Sequence, residues 1–266
     1  MRRALLLLSL LILAAAAPQT PAPGPVRVIG GNGGGCIAGA VRLPDEAPGL
    51  QTIRLSHSAF WGHPDTIAAL LRLGREAHEA GLPDLYMGDI SNPRGGPLAG
   101  GHMTHQMGLD ADVYLDLSPR AEMTNEQRDA LAPPSMVRAD GRAVDPDHWR
   151  AADATLLRLA AGLPGVDRIL VNPAIKKQLC EDATGDRAWL RLIRPWYDHA
   201  GHMHIHFRCP AGQPECPRQA PPPQGDGCDA SLQWWFDQLD QPPKAAAPLP
   251  KPPPAPEACQ AILEGK

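Results

Sequence analysis

Two short runs of this chain alternate polar and apolar residues with a period of two, and that alternation constrains the fold more than any other feature. The first reads Asp110-Ala-Asp112-Val-Tyr114-Leu-Asp116, and the second His202-Met-His204-Ile-His206-Phe. Successive side chains of a strand point to opposite faces. Asp110, Asp112, Tyr114 and Asp116 therefore share one face of a half-buried strand, and Ala111, Val113, Leu115 and Leu117 the other. In the second run His202, His204, His206 and Arg208 lie opposite Met203, Ile205 and Phe207. Each strand has an apolar back for a core and a polar front. Two such fronts side by side gather imidazoles and carboxylates.

His and Asp are ligands for a divalent, borderline-soft ion such as zinc, and a catalytic zinc takes three protein ligands and leaves a position open. His105 precedes Asp112 by seven residues across a turn at Gly108, so one segment supplies two ligands without a helix. A third comes from the His202, His204, His206 series. Spacing alone does not choose between Asp110 and Asp112, or between His204 and His206, because each pair shares a face. Four histidines within the eight residues from His199 to His206 are a density that marks metal binding rather than a solvated polar face. His57 and His63 precede a helix and are placed outside the site. His78 falls on the apolar stripe of that helix and is expected to be a core histidine.

The first sixteen residues, with Arg2, Arg3 and an apolar run from Leu5 to Leu13, read as a cleaved signal peptide; the run is too short for a spanning helix. No cysteine follows the alanines to carry a lipid anchor, so no stable membrane anchor is expected. The formal charge is −4, and loss of Arg2 and Arg3 makes it −6; with no basic stripe, nucleic acid is not an expected partner. Six cysteines in an exported chain read as three disulfides, and proximity favours only Cys209 with Cys216. The remainder divides into a Pro-rich linker at 17–25, one domain at 26–240 and a Pro-rich tail at 241–266. Gly30 to Gly35 fails as a phosphate loop, because no Gly-Lys-Ser/Thr follows, and reads as a flexible loop. Helices are expected from Pro64 to Gly81, after Thr124 with a capping box to Gln127, from Asp145-Pro146 to Gly162, before Cys180, around Trp189, and at Ser231 to Leu239. Strands are expected before Ile90 and at Arg168 to Val171. The fold class is α+β: a small antiparallel sheet carrying the metal site, flanked by helices and disulfide-tied loops.

The blocks Gly-Gly-His102-Met-Thr-His105-Gln-Met-Gly-Leu-Asp110-Ala-Asp112-Val and Arg194-Pro-Trp196-Tyr-Asp-His199-Ala-Gly-His202-Met-His204-Ile, leading to Arg208-Cys209-Pro210, resemble the penicillin-insensitive murein endopeptidases. These belong to a wider group of zinc peptidases that includes lysostaphin, the D-Ala-D-Ala carboxypeptidases and the hedgehog amino-terminal domain. The resemblance implies zinc on His105, Asp112 and His204, with His202 catalytic and His199 and His102 beside the metal. It also implies disulfides Cys36–Cys259, Cys180–Cys228 and Cys209–Cys216. This chain carries His206 where the family pattern has Arg, which opens a second register on His204 and His206. The Trp-x-x-His and Arg-Cys-Pro flanks fit only the first.

The activity so implied is that of a periplasmic zinc endopeptidase that cuts cross-links between peptidoglycan stem peptides by metal-activated water. No serine elbow or H-E-x-x-H motif offers another hydrolytic route, and an enzyme without an acyl-enzyme serine ignores β-lactams. The alternative is a non-catalytic cell-wall peptide-binding protein with a structural zinc. Oligomeric state and the exact bond cut are left open by the sequence.

Overall fold

A computed structural model describes residues 18–100, 102–120, 123–241 and 253–265. The expected signal peptide and most of the Pro-rich stretch from 242 lie outside these residues. Strands β1 (Arg27–Gly31) and β2 (Gly34–Ala38) open the chain, followed by β3 (Val41–Arg42), β4 (Glu46–Ala47), β5 (Leu50–Thr52) and β6 (Trp61–Gly62). Helix α1 (Pro64–Glu79) leads to β7 (Leu85–Met87), β8 (Asp110–Tyr114), α2 (Asn125–Asp129) and α3 (Ala151–Ala161). Then come β9 (Val166–Val171), α4 (Pro173–Asp182), β10 (Ile193–Pro195), β11 (His202–Phe207), α5 (Ala230–Leu239) and α6 (Gln260–Glu264).

The α+β expectation holds. The two alternating runs pair with each other, antiparallel, at the middle of a sheet ordered β10-β9-β11-β8-β7-β5-β4, with parallel joins only at β10–β9 and β7–β5. Their apolar backs, Ala111 and Val113 with Met203 and Ile205, join one core with Ile67, Leu70 and Leu73 of α1 and Leu156, Leu157 and Ala160 of α3. β8 is buried on both faces and stops at Tyr114, so Asp116 leaves the strand front for the following turn. There it accepts from the Ser118 amide at 3.1 Å and pairs with Arg120.

Local signals placed most helices. Helix α1 begins with Pro64 at its first turn, and the His63 ring accepts from the Asp65 amide at 3.1 Å; Thr124 and Gln127 form the expected capping box of α2. Three readings need correction. His78 is exposed rather than part of the core, because the buried stripe of α1 runs through Leu70, Leu73, Gly74 and Ala77. Helix α3 starts at Ala151, not Asp145, since Asp145 to Trp149 is spent in a turn whose Trp149 and His148 amides bond back to the Asp145 carbonyl. Gly30 to Gly35 is no flexible loop. It is a β1–β2 hairpin turning at Asn32-Gly33, a pair suited to tight hairpin turns.

The chain forms the three disulfides Cys36–Cys259, Cys180–Cys228 and Cys209–Cys216. The first fastens Glu257 to Glu264, within the segment set apart as a tail, onto the hairpin: Ile29, Cys36 and Cys259 form a small cluster with Ile262 and Leu263. Before β1, Ala22 is buried and bridges Ala38.

Gly108 is the turn between the loop carrying His105 and β8. It has φ 67°, and a Cβ there would stand 2.8 Å from the Gly62 Cα and 3.0 Å from the His63 nitrogen. Its carbonyl accepts from the His63 amide at 2.9 Å, so neither chain can give way. Gly108→Ala is expected to lower stability by about 2–4 kcal/mol, from the left-handed backbone and the clash together. Urea denaturation would show it as a lower midpoint at unchanged slope.

Candidate metal centre

The antiparallel register sets His202 opposite Tyr114, His204 opposite Asp112 and His206 opposite Asp110. Directly opposed side chains leave the sheet only about 5 Å apart, so the two polar fronts meet as one surface. His105 reaches this surface from the loop before β8. Its backbone sits at φ 63°, an uncommon region for a residue with a Cβ, and is held there by a hydrogen bond that its amide donates to Asp110 Oδ2 at 3.1 Å. The ring Nδ1–H donates to the Ile90 carbonyl at 3.0 Å, which leaves the Nε2 lone pair facing the centre.

Three donor atoms close a triangle. His105 Nε2 and His204 Nδ1 are 3.0 Å apart, His204 Nδ1 and Asp112 Oδ1 3.0 Å, and His105 Nε2 and Asp112 Oδ1 3.3 Å. Ligands at zinc bond lengths of about 2.0–2.2 Å and tetrahedral angles stand roughly 3.3–3.6 Å from one another, slightly wider than this triangle. The triangle therefore fits a small divalent ion. The other nitrogen of His204, Nε2, is buried without a satisfied hydrogen bond and faces Asp110 Oδ1 at 3.4 Å, the carboxylate–histidine arrangement that turns Nδ1 to a metal. Electrostatics agree with geometry. Burial opposes charge on the His204 ring, yet the carboxylates of Asp110 and Asp112 outweigh it and raise its pKa to about 10. Burial likewise opposes charge on Asp112, but His105 and His202 hold its carboxyl well below the usual range. The centre favours positive charge.

A second donor set, Asp110, His204 and His206, also converges, with His206 Nδ1 lying against Asp110 Oδ1. It shares His204 through the opposite ring nitrogen. Here the hairpin contributes, since Asn32 Nδ2 at its turn lies 2.9 Å from His206 Nδ1.

All six histidines and aspartates expected at the site are gathered. His202 Nε2 lies 3.7 Å from Asp112 Oδ1, and its ring packs beside Tyr114 and His199 at centroid distances of 5.5 and 5.1 Å. The His199 ring bonds to the Tyr197 carbonyl, and burial lowers its pKa to about 4. The His102 ring is 4.8 Å from that of His105. Sequence reasoning missed Asp89. This carboxylate, 2% exposed, takes His102 Nε2 at 3.3 Å on one oxygen and His57 Nδ1 at 2.9 Å on the other. Burial pushes Asp89 up, but the two imidazoles outweigh it and hold it below its ordinary value, while the bond to Asp89 raises His102. His57 lies outside the donor triangle, joined to the neighbouring His102 through Asp89. A lone Asp after a short buried strand carries no sequence signal for this.

With nitrogen and oxygen donors only, and every cysteine engaged in a disulfide, the centre is built for an open, chemically active ion rather than a closed structural one. The class so defined is a metal-dependent enzyme. A family model described as penicillin-insensitive murein endopeptidase matches residues 28–264. Proteins of that name from Klebsiella pneumoniae subsp. pneumoniae and Salmonella arizonae are 45% and 44% identical to this chain over 247 residues, 92% of this chain and 88% of theirs. The chain belongs to the penicillin-insensitive murein endopeptidase family.

His102 also converges with His105 and Asp112; the triangle and the second set differ by Asp112 and His105 against Asp110 and His206, and metal analysis separates them. Asp112→Ala and His204→Ala are expected to lose stoichiometric metal, while His206→Ala keeps it. Asp110→Asn, which removes the charge behind His204, is expected to weaken binding about 10–100-fold without abolishing it. Retention in Asp112→Ala with loss in His206→Ala would assign the second set.

Proposed function

We propose that this protein is a periplasmic zinc endopeptidase that opens peptide cross-links of murein, with zinc held by His105, Asp112 and His204. The observation carrying the proposal is the 3.0–3.3 Å triangle of two imidazole nitrogens and a carboxylate oxygen, with three further histidines beside it. Bound there, zinc supplies Lewis acidity that activates water and polarises a peptide carbonyl. The remaining work falls to side chains of this chain. Burial lowers the pKa of His202, so its ring is neutral and able to accept a proton from the attacking water, then return it to the leaving amine as the C–N bond breaks. His199, likewise neutral with Nδ1–H engaged by the Tyr197 carbonyl, offers Nε2 to orient the water or the amide. His102, whose charged form Asp89 favours, is suited to steady the negative charge that develops on the carbonyl oxygen.

Murein as substrate is supported by family membership, and an extracytoplasmic setting by the three disulfides. Among the described residues no helix is long and apolar enough to cross a membrane. Gly100, exposed and with positive φ, stands beside the His102 ring, where backbone without a side chain lets an extended peptide approach.

The purified protein is expected to convert cross-linked muropeptide dimers to monomers, with activity lost to chelator, restored by zinc and indifferent to penicillin. His202→Ala should retain metal and lose roughly 100-fold or more in rate. Full activity after complete metal removal, or intact dimers beside digested casein, would overturn the reading.

A further inference from the structure

The metal centre continues into an aromatic surface that hydrolysis itself does not require. Of the five large apolar side chains exposed among the described residues, three fall on one patch: Trp196 at 50%, Tyr197 at 54% and Trp234 at 48% exposure. Half-buried Trp235 is its centre, with ring centroids 5.9 Å from Trp196, 4.8 Å from Tyr197 and 5.2 Å from Trp234. The outer rings are therefore braced, not loose. Helix α5, which carries the two tryptophans, is anchored by the buried Leu232 and Phe236, by its Asp229 cap and by the Cys180–Cys228 disulfide just before it. The patch meets the site covalently, since Tyr197 is two residues from His199 and its carbonyl holds the His199 ring.

Exposed apolar area of this kind is costly in water and marks a surface that meets a ligand. The chemistry around it narrows the ligand. Helix α5 has no Lys or Arg, which disfavours an anionic lipid surface. Its polar groups beside the tryptophans are Gln233, Asp237 and Gln238, neutral amides and a carboxylate that suit hydroxyl and acetamido groups. Aromatic faces with such neighbours match a pyranose ring, whose axial C–H groups form an apolar face and whose rim is polar.

We propose that Trp196, Tyr197, Trp234 and Trp235 form a sugar-binding platform that takes N-acetylated amino-sugar rings of the glycan strand and presents the attached peptide to the metal centre. The proposal rests on the murein-directed reading above. It deepens that reading by making glycan a recognised part of the substrate.

The test uses the full zinc-loaded chain and a peptide-free probe, the tetramer of N-acetylglucosamine, followed by calorimetry and tryptophan fluorescence. Saturable binding is expected, weakened about tenfold in Trp234→Ala, the scale of losing one stacked ring, and largely kept in Trp234→Phe. On intact sacculi the Trp234→Ala rate should fall by a similar factor relative to its rate on sugar-free cross-linked peptide dimers. Sugar binding in a protein that cuts no cross-link would leave the platform standing and remove the peptidase reading. No binding of the tetramer, equal loss on sacculi and sugar-free dimers, or adsorption to phosphatidylcholine vesicles in place of sugar would overturn the platform.

Discussion

Pairing of β8 with β11 in a single register sets the distance between every strand-borne carboxylate and imidazole of the site. His204 faces Asp112 and His206 faces Asp110 across the ladder. A slip of one residue would turn the three histidines into the core and Met203 and Ile205 into the polar centre. A slip of two would keep the faces but oppose His204 to a residue other than Asp112. The register is secured from behind, where Ala111, Val113, Met203 and Ile205 are at most 1% exposed and packed on two helices. Apolar burial thus positions polar chemistry on the opposite side of the same strands.

What the strands cannot reach is delivered by strained loops under restraint. His105, Asp198 and His199 all have positive φ, a conformation that persists only where the surroundings over-determine it. For His105 the restraint is the pair of bonds to Asp110 and the Ile90 carbonyl. For Asp198 and His199 it is Asn172, which donates its side-chain amide to the Asp198 carbonyl at 2.9 Å and its backbone amide to the His199 carbonyl at 3.0 Å. Asn172 Oδ1 also caps α4 by accepting from the Ala174 amide. One residue thereby joins the end of β9, the start of α4 and the loop that carries His199.

Three carboxylates, Asp89, Asp110 and Asp112, lie within this region at 0–5% exposure. Uncompensated, each would be costly to bury. They are compensated by imidazoles: His57 and His102 on Asp89, His204 and His206 on Asp110, His105 and His204 on Asp112. Ring nitrogens thus set the orientation of the acids, and the acids set which nitrogen each ring presents. The inward demand for positive charge at Asp112 and His204 suits a divalent cation better than a proton, because a cation serves three donors at once.

The sequence by itself determined the alternation of the two strands, and with it the faces shared by Asp110 and Asp112 and by His204 and His206. Helix starts with strong local chemistry, Pro64 at a first turn and Thr124 with Gln127, were legible because their signals span only a few residues. Spacing could not choose between Asp110 and Asp112, since both face the same way; that Asp112 meets the His105 ring follows from cross-strand register and from a loop carbonyl, Ile90, fifteen residues before the ring it binds. Asp89 and its two histidines, the Asn32 contact to His206 and the meeting of Trp235 with Tyr197 were equally invisible. Each joins segments remote in sequence, by contacts that exist only after the core has packed and fixed how the strands and helices lie. Local pattern is written residue by residue, whereas the donor triangle and the aromatic patch are products of packing.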